Sequence, residues 1–154
     1  MGKIVLVTGG ARSGKSSFAE SKLLQKDGVC YIATGLMMKE DPEWQERVKL
    51  HQERRPQSWD TLEQYWDLAT WIEQDHHGDY LLDCATMLTT NRLFDLVNEW
   101  YPDKGYLSDE QFLSKAEQAR ILEAMEAEWS QILSAMKKRQ ATSWIVTNEV
   151  GLAI

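Results

Sequence analysis

A lysine and a serine close a glycine-rich segment near the start of the chain, which reads VTGGARSGKSSF. Residues 9–16 fit the pattern G-x-x-x-x-G-K-S, in which Lys15 reaches the β- and γ-phosphates of a nucleoside triphosphate and the Ser16 hydroxyl ligates Mg²⁺. A predicted strand before the pattern and a predicted helix after it favour phosphate binding over a glycine-rich turn without a ligand. The predicted phosphate loop consists of Gly9, Gly10, Ala11, Arg12, Ser13, Gly14, Lys15 and Ser16.

An acidic side chain at the end of a neighbouring strand is expected to help hold that metal ion. Asp83 closes the apolar run of residues 80–83 and stands where such a group belongs. It can equally serve as the N-cap of a helix that begins near Thr86, and the two roles can coexist. Asp83 and Ser16 are therefore the candidate Mg²⁺ ligands.

A basic segment, RVKLHQERRP at residues 47–56, interrupts an otherwise acidic sequence. Taken alone, such a charge run is usually a solvated helix face. Beside a phosphate loop it suggests catalysis, because arginines stabilise phosphoryl oxygens and a neutral imidazole among cations is a nucleophile at phosphorus. His51 is the candidate nucleophile of this segment. By contrast, His76 and His77 fall in the polar turn QDHHGD, for which a solvated turn is a better interpretation than a metal site.

Short apolar runs alternate with helix-compatible segments along the chain. Strands are predicted at residues 4–8, 29–33, 80–84 and 144–147, and residues 59–63 are a strand in preference to the opening of the following helix. Helices are predicted at residues 16–25, 41–51, from 64 to Trp71, and at 87–100, and a capping box of Ser108 and Gln111 opens another long helix. The alternation predicts an α/β fold with a mainly parallel sheet.

Composition limits the class of partner. The chain has 154 residues and a formal charge of −7, from 24 acidic and 17 basic side chains. A protein of this charge repels polyanions, so we expect no nucleic-acid partner. The first apolar run is too short for a membrane span, so we expect no membrane partner either. Cys30 and Cys84 suit buried thiols in a reducing compartment, and a cytoplasmic location follows from that interpretation.

Several motifs taken together resemble one enzyme family in the same order along the chain. They are TGGARSGKS at residues 8–16, YIATG at 31–35, H-x-x-R-R-P at 51–56, WDTLE at 59–63, LLDCATMLTTN at 81–91 and VTNEVG at 146–151. The family is the bifunctional adenosylcobinamide kinase and adenosylcobinamide-phosphate guanylyltransferase of cobalamin synthesis. The resemblance spans essentially the whole chain, and it implies a P-loop NTPase-like three-layer sandwich.

The resemblance also implies the reactions. ATP or GTP phosphorylates the hydroxyl of adenosylcobinamide, and a histidine then attacks the α-phosphorus of GTP to form a GMP-histidine intermediate. The GMP passes to the cobinamide phosphate. By resemblance the nucleophile is His51, and the nucleotide is surrounded by the phosphate loop with Ala33, Thr34, Gly35, Gln52, Glu53, Arg54, Arg55, Glu63 and Asp83.

The resemblance further implies a homotrimer, and family members that continue past Gly151 with a turn, a helix and a strand. We therefore expect residues 1–154 to form a single P-loop domain that lacks that helix and strand. Two other functions stay open at this point. One is a small-metabolite kinase in which His51 is structural, and the other is a nucleotide-dependent switch that transfers no group.

Overall fold

The computed structural model describes residues 1–10, 13–35, 41–104 and 113–148, without the side chains of Val48 and His51. Strands and helices alternate over these residues, as the sequence pattern predicts. The elements are β1 (Lys3–Gly9), α1 (Lys15–Leu23), β2 (Val29–Ala33), α2 (Pro42–Arg54), β3 (Asp60–Glu63), α3 (Leu68–Gln74), β4 (Asp79–Asp83), α4 (Ala85–Trp100), α5 (Lys115–Lys138) and β5 (Thr142–Asn148).

The described strands form one sheet in the order β1-β5-β4-β2-β3, and every pairing is parallel. The α/β fold with a mainly parallel sheet is thus confirmed. Because the strands run in the same direction, their carboxyl ends meet at one edge of the sheet. The register makes this concrete, since Ala33 of β2 pairs with Glu63 of β3 on one side and with Asp83 of β4 on the other.

Helices cover both faces of the sheet and complete three layers. On one face, Ala19 and Leu23 of α1 pack with Val7, Leu81 and Val146 of the sheet. The other face carries a second core, in which strand residues contact side chains of α3 and α5. Its fully buried members include Ile32, Leu82, Leu68, Ile72, Ile132 and Met136. Burial of these apolar side chains away from water is the main stabilising contribution to the fold.

The start and the end of α2 follow from local chemistry. The Asp41 carboxylate accepts a hydrogen bond from the Glu43 backbone N–H, and Pro42 takes the first helical position, where its missing N–H costs nothing. The helix runs to Arg54, three residues beyond the expected end at His51, and it stops two residues before Pro56. Residues Asp60–Glu63 form a strand, which is what the sequence pattern favoured over the opening of a helix.

The predicted start of the long helix was wrong. Ser108 and Gln111 lie outside the described residues, and α5 begins only at Lys115. Its capping box is formed by Ser114 and Glu117, whose side chains each accept a hydrogen bond from the other's backbone N–H. The sequence contains the same pattern twice within ten residues, and the pattern alone does not distinguish the two.

His77 is not the solvated turn residue that the sequence suggested. Its Nδ1 lies 2.6 Å from Asp75 Oδ2 and its Nε2 lies 2.6 Å from Asp60 Oδ2, while its ring stacks on Trp71. Partial burial by itself lowers the pKa of His77, but the hydrogen bonds to Asp60 and Asp75 outweigh it, so the pKa is raised. The imidazolium therefore ties the turn before β4 to the edge strand β3, at the amino end of the sheet.

None of the helices in the described part of the chain combines the length and apolarity needed to cross a bilayer.

Replacing His77 by glutamine should remove a pH-dependent part of the stability. Because the folded-state pKa of His77 is raised above its unfolded value of about 6.5, its contribution is complete below that pH and is lost as the pH rises through the folded pKa. We expect His77→Gln to cost on the order of 1 kcal/mol near pH 6, since solvent screens the exposed Asp60 partner, and less at higher pH.

Urea unfolding of both proteins between pH 6 and 9 measures this difference. The matched control is His76→Gln at the exposed neighbouring position. A free-energy difference for His77→Gln that stays constant across this range would contradict the interpretation.

Candidate nucleotide site

A cavity of about 570 Å³ opens at the edge where the strands end. Its volume is in the usual range for a site that takes one small ligand. Side chains from the phosphate loop, from α2 and from β2, β3, β4 and β5 meet around it. The lining residues are Lys15, Ser16, Tyr31, Ala33, Gly35, Trp44, Gln45, Arg47, Lys49, Gln52, Arg55, Thr61, Glu63, Asp83, Cys84, Met87 and Asn148.

The phosphate loop turns sharply into α1. Gly14 adopts the left-handed conformation with φ 83°, which glycine accepts without a steric cost, and Lys15 begins the helix. The Lys15 ammonium donates to the Gly10 carbonyl at 3.0 Å, so the cation is already held against the loop. The first-turn N–H groups of α1 have no intrahelical acceptor and are available to an anion.

Thr34 joins the ends of β2 and β4. Its hydroxyl accepts a hydrogen bond from the Cys84 backbone N–H at 2.8 Å and donates one to the Cys84 carbonyl at 2.7 Å. The Asn91 amide of α4 donates to the Thr34 carbonyl at 2.8 Å. Thr34 is fully buried and its side chain is engaged within the protein. This arrangement holds the strand ends on which the neighbouring site residues stand.

Trp44 of α2 packs directly on Gly35, the residue after Thr34. A Cβ placed on Gly35 would lie 2.8 Å from Trp44 Cη2 and 2.9 Å from its Cζ2, closer than real contacts allow. Glycine at this position therefore lets the indole ring close one wall of the cavity. The same contact sets how close the first turn of α2 comes to the end of β2.

Tyr31 connects an acidic and a basic side chain within the cavity. Its hydroxyl donates to Asp83 Oδ2 at 2.7 Å, and the Arg55 guanidinium lies 3.7 Å from its ring centroid. Burial, together with the charge and the hydrogen bond of Asp83, raises the pKa of Tyr31 well above its usual value. The hydroxyl therefore stays protonated and acts as a donor.

The two adjacent arginines point to different partners. Arg55 is only 8% exposed and stacks on Tyr31, whereas Arg54 Nη1 donates to the Ser17 hydroxyl at 3.0 Å. Arg54 thereby links the end of α2 to the first turn of α1. Of the two, Arg55 lines the cavity.

The structure brings many of the sequence-predicted residues together around one cavity. These are Lys15, Ser16, Ala33, Gly35, Gln52, Arg55, Glu63 and Asp83. Gly9 ends β1, and Gly10, Ser13 and Gly14 belong to the turn beside them. Thr34, Glu53 and Arg54 do not line the cavity. Ala11 and Arg12 lie outside the described residues, and His51 is placed only by its backbone, on the last turn of α2.

Some of the lining residues were not predicted. Tyr31 opens the YIATG motif, but it sits in an apolar strand and no role in the site was assigned to it. Trp44 precedes the basic segment, and only the helical phase of α2 would have placed it on the side of Gly35. Arg47 and Lys49 belong to the basic segment but were not assigned to the nucleotide, and both line the cavity.

The donors at the candidate Mg²⁺ position fit that ion. Ser16 and Asp83 both line the cavity and offer hard oxygen ligands, which Mg²⁺ prefers. The described residues contain no group of three or more His, Cys, Asp or Glu side chains with metal-binding geometry. A site of one hydroxyl and one carboxylate suits an ion that takes its remaining ligands from phosphates and water.

The two cysteines are not suited to nucleophilic chemistry. Burial raises the pKa of the Cys84 thiol and raises the pKa of Cys30 to about 12. Both thiols are buried and unpaired in the described structure. Because the thiolate is the reactive form, neither side chain competes with a histidine as nucleophile.

These features define a P-loop nucleoside triphosphate-binding protein. The sheet is parallel, a glycine-rich loop connects β1 to α1, Lys15 and Ser16 stand at the start of α1, and Asp83 ends β4 beside them. Comparison with known proteins resolves the family. Residues 5–154 match the model of the cobinamide kinase / cobinamide phosphate guanyltransferase family. The chain belongs to this family, as its motifs indicated.

Curated relatives agree with that assignment. The chain is 36% identical over 154 residues to the bifunctional adenosylcobalamin biosynthesis protein CobU of Escherichia coli, a match that covers 98% of this chain and 77% of the relative. The protein of the same name from Salmonella typhimurium is 36% identical over 153 residues, with the same coverage. The bifunctional adenosylcobalamin biosynthesis protein CobP of Pseudomonas aeruginosa is 41% identical over 92 residues, or 57% of this chain and 51% of the relative.

Gly35→Ala should weaken nucleotide binding because the added methyl group pushes Trp44 away from the end of β2. Overpacking of this kind typically costs about 1–3 kcal/mol, and we expect the affinity for Mg²⁺-GDP to fall at least about fivefold. Isothermal titration calorimetry measures the affinity.

Gly78→Ala is the matched control, because a Cβ at Gly78 meets no atom within 4 Å. Adding Trp44→Leu to Gly35→Ala should restore part of the affinity by making room. Wild-type affinity in Gly35→Ala alone would show that this contact does not shape the site.

Proposed function

We propose that this chain catalyses two successive reactions of corrinoid assembly. In the first, the γ-phosphoryl group of ATP or GTP passes to the hydroxyl of adenosylcobinamide. In the second, His51 attacks the α-phosphorus of GTP, the bond to the bridging oxygen breaks and pyrophosphate leaves. A phosphate oxygen of adenosylcobinamide phosphate then displaces the histidine nitrogen, giving adenosyl-GDP-cobinamide and the free imidazole.

The observation that carries this proposal is the position of Arg55 beside the phosphate loop. Its guanidinium is almost completely buried, yet no carboxylate among the described residues forms an ion pair with it. A buried cation needs a compensating anion, and the cavity that it lines also receives Lys15. A polyphosphate extending from the loop to Arg55 supplies that anion.

The first reaction uses the loop side of the cavity. Lys15 and the free N–H groups of α1 bind the β- and γ-phosphates and offset the charge that develops during transfer. Ser16 and Asp83 would hold Mg²⁺ on those phosphates, where the ion supplies further positive charge.

The second reaction uses the α2 side. His51 lies on the last turn of α2, and Arg55 is the C-cap residue that directly follows this helix. Arg55 is well placed to stabilise oxygens on the phosphorus that a nucleophile from α2 attacks. The P–N bond that forms is a high-energy bond, so the nucleotidyl group can pass to a phosphate acceptor with little loss of free energy.

Several finer points belong to the proposal as well. Mg²⁺ is the metal, GTP and ATP are the nucleotides, and Gln52 and Glu63, which line the cavity, complete the surroundings of the nucleotide or the acceptor. Arg54 supports them from outside the cavity through its bond to Ser17. A homotrimer in the cytoplasm is the assembly and location that we infer from the family resemblance and from two buried free thiols.

The experiment that tests the proposal uses GTP labelled at the α-phosphate. Incubation with Mg²⁺ followed by denaturing electrophoresis should leave an acid-labile label on the wild-type protein and none on His51→Ala. His76→Ala is the control, since His76 is an exposed histidine outside the cavity.

In the same His51→Ala protein, transfer of the γ-phosphate to adenosylcobinamide should continue, because the loop side of the cavity is unchanged. Normal guanylyl transfer by His51→Ala would refute the assignment of the nucleophile. A wild-type protein that phosphorylates adenosylcobinamide but never takes up the α-label would instead be a monofunctional kinase.

A further inference from the structure

Tyr31 lies between the two charged side chains to which the proposed function gives separate tasks. Asp83 belongs to the metal side of the cavity and Arg55 to the side of the attacked phosphate. We propose that Tyr31 is a positioning residue that holds Asp83 by its hydroxyl and Arg55 by its ring, and keeps the two charges apart. This inference rests on the proposed function.

The hydroxyl fixes one oxygen of the carboxylate. Tyr31 donates to Asp83 Oδ2 at 2.7 Å, and no other described side chain or N–H group bonds to the Asp83 carboxylate. The other carboxylate oxygen of Asp83, Oδ1, therefore remains available to bind a metal ion. Without the hydroxyl, the carboxylate would be free to rotate, and its metal affinity would include the cost of ordering it.

The ring fixes the cation. The Arg55 guanidinium lies 3.7 Å from the Tyr31 ring centroid, within the range of a cation–π contact, and both residues are less than 9% exposed. The ring itself is held firmly, because Tyr31 is in β2, which is paired on both sides by β3 and β4. Arg55 therefore meets an arriving phosphate with its position already set.

The most important consequence is what Tyr31 prevents. Arg55 and Asp83 have opposite charges and line the same cavity, yet no ion pair joins them in the described structure. A direct pair would neutralise both groups and leave neither for the nucleotide or the metal. Tyr31 satisfies each of them separately, so both remain available to ligands.

Three variants separate these contributions. Tyr31→Phe keeps the ring and removes the hydroxyl, and Tyr31→Leu removes both. Tyr80→Phe is the matched control, because Tyr80 is a buried tyrosine of the same sheet that donates to Asp75 at 2.6 Å, at the opposite edge. Thermal unfolding and circular dichroism check that each protein is folded.

The measurement is the affinity for GDP by calorimetry, first in EDTA and then over a series of Mg²⁺ concentrations. We expect Tyr31→Phe to bind GDP in EDTA within about twofold of wild type, but to need about tenfold more Mg²⁺ for the same gain in affinity. Tyr31→Leu should in addition lose about three- to tenfold of the affinity in EDTA, because Arg55 is no longer held. Tyr80→Phe should match wild type in both.

The same Mg²⁺ requirement in Tyr31→Phe and wild type would overturn the inference. Equal GDP affinity of Tyr31→Phe and Tyr31→Leu in EDTA would overturn the part of the inference that concerns Arg55. An equal rise in the Mg²⁺ requirement of Tyr80→Phe would overturn the part that concerns Asp83, because the rise would then reflect general stability. Failure of the proposed function is distinguishable, since the wild-type protein itself would then bind no GDP or take up no α-label.

Discussion

The two hydrogen bonds between the Thr34 hydroxyl and the Cys84 backbone hold together the strand ends on which the site depends. They join β2 to β4 immediately after Ala33 and Asp83. Glu63 ends β3 in the same row, because it pairs with Ala33 in the parallel register. Asn91 adds a third bond from α4. These groups are buried, so an unmade bond here would leave a desolvated polar group, which is costly. The edge of the sheet is thus a rigid platform rather than a set of independent loops.

Two kinds of charge are placed on that platform. Lys15, Arg47, Lys49 and Arg55 line the cavity against Glu63 and Asp83, so a cationic site exists in a chain whose formal charge is −7. Local geometry rather than net charge therefore decides what the cavity attracts. Because the phosphate loop leads into α1 and most of the basic segment lies on α2, the contact of Arg54 with Ser17 couples the two helices that the proposed chemistry requires.

The fold was predictable because its signals are local. β-Branched runs, the Asp41-Pro42 helix start and the glycine-rich loop each specify a structure within a few residues, and the structure confirms them. The second capping pattern at Ser114 shows the limit of such signals, since α5 begins with Ser114 and Glu117 and the sequence pattern alone does not tell this start from the one at Ser108. His77 shows another limit, because its carboxylate partner Asp60 comes from a strand that precedes it by 17 residues. In the site, motif residues could be named from the sequence, whereas Tyr31 and Trp44 act through contacts that only the assembled sheet and α2 create.

We propose that one cavity of about 570 Å³ serves both reactions, one nucleotide at a time. Binding of ATP to protein that carries GMP covalently on His51 tests this claim most directly. The labelled protein is isolated, and its affinity for Mg²⁺-ATP is compared with that of the unmodified protein by calorimetry. We expect the adduct to prevent ATP binding, and adenosylcobinamide phosphate to restore ATP binding by removing the GMP. If the adduct binds ATP as tightly as the unmodified protein does, the two reactions use different nucleotide sites and the single-cavity proposal is wrong.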